Sequence, residues 1–193
     1  MLNIFAIDPG ICRSLDWFRY CTEHCHPSQG RAIADLPPGE WCQKSREVID
    51  LAVANRTIRP VKGQSLKRDL DKKRDRLVHR PGTTWDYMEP SWLSNAEQEH
   101  RREPFSAVIS PDYPEGQNSG WQFHPDDLDE SQSTWMTPSG ISITRSPQAF
   151  TDAIMPMLQV ASEIHFLDRS LVVSLFAMWF RGRSRGALVA PET

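Results

Sequence analysis

GISITRSPQAFTDAIMPMLQVASEIHFLD, residues 140–168, is the stretch whose reading decides the fold class. Ile141 and Ile143 alternate with polar neighbours, the mark of a half-buried strand over Gly140–Arg145. Ser146 and Pro147 suit the cap and first turn of a helix, which Phe150, Ile154, Leu158 and Ala161 continue at helical spacing to about Ser162. Pro156 falls inside that helix and predicts a kink. EIHFLD then reads as a second strand ending at Asp168, with His165 on its polar side. A helix between two short apolar strands is what a parallel crossover needs. The chain is therefore expected to be α/β or α+β, with a helical N-terminal half followed by a small sheet. In such sheets functional groups gather at the carboxyl ends of strands, which makes Asp168 a candidate strand-end site.

Working outward, Leu171–Phe180 places Val172, Leu175, Phe176 and Trp179 on one helical face. Residues 141–180 are thus expected to form one strand–helix–strand unit. The following RGRSRG has too little apolar surface to fix its own conformation, so residues 181–193 are expected to be a loose tail. Upstream, residues 103–140 are acidic and rich in Pro and Gly, a connecting region with one short strand at Phe105–Ser110. No Lys or Arg occurs from Glu103 to Thr144, while seven acidic residues do. Asp126, Asp127, Asp129 and Glu130 lack the spacing and glycine of a calcium loop and read as a solvated acidic turn.

Residues 1–102 read as mainly helical. Asp8 and Pro9 suit a helix start, with Ile11, Cys12, Leu15 and Phe18 on its apolar stripe as far as Cys25. A second helix is expected at Glu40–Ala54, with Trp41, Val48, Ile49 and Ala52 on one face and Asn55 as its C-cap. Cys21 and Cys25, four residues apart, could face one metal with Cys42 and His24 or His26. Cys12, Cys21 and Cys25 also fit the apolar face of a helix, and buried free thiols are the expected outcome.

The segment Arg56–Arg80 carries ten Lys or Arg against three Asp. A helix from Ser65 to about Val78 would show a narrow seam of Leu66, Leu70 and Leu77, with Lys67–Asp71 and Asp69–Lys73 as pairs on its exposed face. Arg59, Lys62, Lys67, Arg68, Lys72, Lys73, Arg74 and Arg76 are the candidate phosphate contacts of a nucleic-acid-binding surface. The alternative is that this segment docks on, or is screened by, the acidic region Glu103–Thr144 of the same chain, whose charge matches it in size.

Residues 141–169, ISITRSPQAFTDAIMPMLQVASEIHFLDR, resemble the opening strand–helix–strand of phospholipase D-like domains found in bacterial mobile-element and defence proteins. The shared pattern is a strand, an Arg-Ser helix start, a Pro near mid-helix and a strand ending I-x-F-L-D. Here Arg169 and Ser170 follow the Asp, where those domains often carry a Pro and an aromatic residue. The family's phosphodiesterase chemistry needs His-x-Lys pairs, and this sequence contains none. The resemblance thus implies a truncated relative without its catalytic part, or a nuclease component completed by a partner chain. Loops for nucleotide phosphates, the zinc-protease motif and the nucleophile elbow are missing too. The sequence reading is a cytoplasmic, non-catalytic accessory protein with no cofactor. Its partners would be nucleic acid or another protein chain, and not a membrane.

Overall fold

Asn3–Ile7 (NIFAI) forms β1, the strand on which the others are laid in this computed structural model, which describes residues 2–117, 119–128 and 146–161. Its side chains alternate between two apolar layers, so it needs cover on both faces. Phe5 and Ile7 point into one layer and Ile4 and Ala6 into the other. The chain is α/β: β2 (Arg31–Ile33), β1, β3 (Ala107–Ile109) and β4 (Gln122–Phe123) lie in that order in one four-stranded parallel sheet. Phe5 stands opposite Ile33 on one side and Ala107 on the other.

Five α-helices are described: α1 (Leu15–His24), α2 (Trp41–Ala54), α3 (Pro60–Asp71), α4 (Trp92–Arg102) and α5 (Pro147–Val160). The first three bury Phe18, Cys21, Trp41, Ile49, Leu66 and Leu70 against the Phe5–Ile7 face. Each large side chain so buried contributes on the order of 2 kcal/mol. The opposite face is covered by Ala96 of α4 with Phe105, Leu36, Trp85 and Trp92. Val160 of α5 packs on Leu2, Ala32 and Val78 near the β2 edge.

Several expectations change at this point. Asp8 does cap a helical turn, but that turn is a short 3-10 segment, Pro9–Arg13, and α1 restarts beyond it under its own cap, Ser14. The N-terminal region also holds β1, which is apolar on both faces and so shows no alternation, and β2, which is only three residues long. The basic helix starts at Pro60, not Ser65, because proline occupies the first turn, and it ends at Asp71 instead of running to Val78. The expected Lys67–Asp71 and Asp69–Lys73 pairs are replaced by Lys67–Asp50 and Lys72–Asp69. Helix α2 and the Ser146–Pro147 start of α5 stand where the sequence puts them. Among the residues of α5 none is fully buried, so Phe150 and Ile154 do not form the expected core stripe. The strands expected at 140–145 and 163–168, the helix at 171–180, the tail and Asp168 itself lie outside the described residues.

Helices α2 and α3 meet at Gly63, where an added Cβ would stand 2.6 Å from Val53 Cγ2 and 3.5 Å from Ile49 Cγ2. Valine is stiff at χ1 and cannot swing away cheaply. Gly63→Ala is therefore expected to destabilise the fold by about 1 kcal/mol despite its better helix propensity, overpacking outweighing the gain. Gly63→Ala with Val53→Ala should recover part of that loss in urea denaturation. An unchanged or raised midpoint for the single variant would refute the close packing.

Candidate functional site

The sheet's order reverses at β1: the chain leaves it for β2 on one side and later returns to β3 on the other. That reversal opens a crevice at the carboxyl ends of the strands, the usual ligand position in open α/β sheets. Three strands end there in a polar residue followed by proline: Asp8-Pro9 after β1, Ser110-Pro111 after β3 and His124-Pro125 after β4. Proline has no N–H and ends the ladder, while the polar side chain before it turns back to accept an N–H two residues on. Asp8 Oδ1 accepts from Gly10 N at 2.7 Å, Ser110 Oγ from Asp112 N at 3.1 Å and His124 Nδ1 from Asp126 N at 3.2 Å. His26-Pro27 repeats the arrangement before β2, with Ser28 N 3.2 Å from His26 Nδ1.

Across the crevice Ser110 Oγ donates to Asp8 Oδ2 at 2.6 Å, both groups buried. Burial raises the Asp8 pKa above its ordinary value of 3.8, against the lowering pull of the Ser110 and Gly10 bonds. Gly10 is required for the close approach, since a Cβ there would meet Asp8 Oδ1 at 3.0 Å and Pro111 Cγ at 3.1 Å. Arg13 Nη2 reaches Pro111 O at 3.3 Å and lies over the Trp17 ring. Trp17 Nε1 in turn donates to Asp126 Oδ1 at 2.6 Å.

On the β1–β2 side the edge opens into a cavity of about 520 Å³. Its floor is Asp8, Pro9, Gly10 and Pro37; its walls are the Lys44–Leu51 face of α2 and the Trp85–Trp92 loop. Trp92 Nε1 holds Leu36 O at 3.1 Å and Tyr87 donates to Glu40 Oε1 at 2.8 Å, so both rings are anchored.

Glu115, His124 and Asp126 bring one potential metal ligand each to within 4.8 Å of one another. The lone pair of His124 Nδ1 already faces the Asp126 N–H, so the neutral ring has its proton on Nε2. This geometry serves a turn better than a cation. No cysteine joins a metal-ligating group among the described residues. All four are buried, and burial raises the thiol pKa of each, to about 12 for Cys12 and Cys21.

The basic segment is largely tied down by its own chain. Lys67 pairs with Asp50, Lys72 with Asp69, and Lys73 donates to Thr22 O at 2.9 Å. Arg76 Nη1 lies 2.6 Å from His26 Nε2, and Arg74 is hydrogen-bonded near the Cys42 thiol. Arg80 is buried between Glu99, Glu103 and the Phe105 ring. Arg56, Arg59, Lys62 and Arg68 remain exposed, with no side-chain partner among the described residues. The sequence reading named the basic candidates but missed Asp8, Ser110 and the cavity. The repeated apolar–polar–Pro unit in IDPG, ISPD and FHPD was the signal that could have found them.

Asp8→Ala should cost about 1–3 kcal/mol by leaving Ser110 Oγ and Gly10 N without their acceptor. Asp8→Asn tests the charge. A carboxyl whose folded pKa is raised takes up a proton on folding, so its stability contribution is present below 3.8 and is lost as pH rises through the folded value. Denaturation midpoints followed from acid toward neutral pH are expected to fall less in Asp8→Asn than in wild type, and parallel curves would contradict the raised pKa.

No family model matches the chain, and no curated protein or solved structure was found to be similar to it.

Proposed function

We propose that the chain is a non-catalytic accessory domain that binds a small polar ligand at the carboxyl edge of its sheet. The observation that carries this reading is the cavity of about 520 Å³ beside Asp8, at the carboxyl end of β1 on its β2 side. Volume in this range suits a small organic ligand. Two facts support the non-catalytic part. Asp8 and Ser110 spend their polar atoms on each other and on turn N–H groups. The buried thiols, with Cys12 and Cys21 raised to about 12, are poor nucleophiles at neutral pH. A phosphodiesterase component would need its partner to bring the His-x-Lys pairs, since this sequence has none.

A thermal-shift screen of small metabolites tests the cavity. Ligand at a hundred times its Kd adds about 2.7 kcal/mol of stability. Such gains are expected in wild type and should disappear when Val48→Trp fills the cavity wall. Leu51→Trp, at a rim position 62% exposed, serves if the first variant does not fold. Gains undiminished in both variants would put the binding site elsewhere.

A second reading, nucleic-acid binding, is favoured by the four unpaired cations Arg56, Arg59, Lys62 and Arg68. Arg59 is the N-cap of α3 and Lys62 lies in its first turn, so both sit at the same end of that helix. If all four cations contact phosphates, log K should fall with log salt at a slope of about −3.6 on duplex DNA. Changing Arg59, Lys62 and Arg68 to Glu together should remove most of that slope. A flat affinity in wild type eliminates the phosphate-contact reading.

A further inference from the structure

The chemistry of the cavity wall selects among ligands. Three aromatic side chains, Trp85, Tyr87 and Trp92, line it together with the carboxylates Asp8, Glu47 and Glu89. Lys44 is the one cation among the described lining residues, and its Nζ is 3.3 Å from Glu47 Oε2. Glu40, bonded to the Tyr87 hydroxyl, adds a further acid next to that ring. The lining is therefore rich in acceptors and negative charge and, among the described residues, holds no free basic group. A phosphate or carboxylate ligand would meet uncompensated repulsion there, which argues against a nucleotide even though the aromatic rings could stack on a base.

An organic cation meets the opposite situation. Aromatic faces attract positive charge through the ring quadrupole, and alkyl groups around a nitrogen bury well against Trp and Tyr. Leu51, 62% exposed, extends the apolar surface on α2. Neither Glu47 nor Glu89 is fully consumed. Glu47 accepts from Gln43 and Lys44, one bond to each oxygen, and Glu89 Oε1 accepts from Ser91 N at 2.9 Å. Ionised carboxylates have about four acceptor sites each, so both retain capacity for a cation.

We propose that this cavity binds an alkylated ammonium ion, with Trp85, Tyr87 and Trp92 supplying the ring faces and Glu47 and Glu89 the counter-charge. The inference rests on the carboxyl-edge cavity being the ligand site, and it names the ligand class. Choline is the probe, and 3,3-dimethyl-1-butanol is its uncharged isostere. Binding is read from the indole N–H resonances of the full-length chain, assigned through Trp85→Phe and Trp92→Phe.

Choline is expected to shift those two resonances saturably, with the isostere roughly tenfold weaker because only the charged form gains from the rings. Glu47→Gln, at an exposed position that the fold does not need, should weaken choline several-fold and leave the isostere unchanged. Glu89→Gln should act in the same direction. Equal affinity for choline and the isostere would overturn the proposal, as would choline leaving both resonances unmoved. If adenosine monophosphate or the isostere moves them while choline does not, the cation class fails and the cavity reading survives. If the thermal-shift gains also persist in both Val48→Trp and Leu51→Trp, the two readings fail together.

Discussion

The hydrogen bond from Ser110 Oγ to Asp8 Oδ2 joins groups 102 residues apart in the chain and ties the ends of the two inner strands. Parallel strands need long connections, so the entropy of closing them must be offset by contacts made at the junction. Here α2, α3 and α4 all lie between β2 and β3. Asp8 is also the acceptor that starts the turn into α1. One carboxylate therefore sets where β1 stops, how close β3 approaches and where the first helical turn begins. Trp41 reinforces the same point, its indole donating to the Ile7 carbonyl from the first turn of α2.

Charge in this chain is arranged to satisfy itself locally. Among the described residues, the positive segment does not rest as a block on the acidic region that follows it. Its cations find Asp50 on α2, Asp69 in their own helix, and backbone carbonyls of α1. Arg80, the last of them, goes inside with Glu99, whose side chain is fully buried and which also holds Arg102 and Thr83. Breaking a buried pair of this kind is costly, because removing one partner leaves an uncompensated buried charge. Glu103 is the acidic-region residue that joins this network.

The parts of the fold legible in the sequence are those with enough length for a period to develop. Helix α2 runs fourteen residues, and its buried face was readable from Trp41, Ile49 and Ala52. β3 was readable because AVI is a short apolar run bounded by polar and proline residues. β2 and β4 span three residues and two residues, and no periodicity can be measured over so few positions. Helix α4 was missed because its buried residues, Asn95, Ala96 and Glu99, are mostly polar and are held by hydrogen bonds and an ion pair. The cavity was invisible for another reason: Asp8, Lys44 and Trp85 come from three separated segments, and only the sheet order brings them together.

The four thiols have a practical meaning beyond their packing. Cys12, Cys21, Cys25 and Cys42 belong to one apolar cluster that also contains Phe5 and Ile7 of the central strand. Only a thiolate reacts at an appreciable rate, and burial holds all four in the protonated form. An alkylating reagent thus has to wait for the cluster to open. The rate at which thiols are modified becomes a clock for that opening. Comparing Cys42, at the start of α2, with Cys21, within α1, distinguishes the lifting of one helix from the parting of the whole layer.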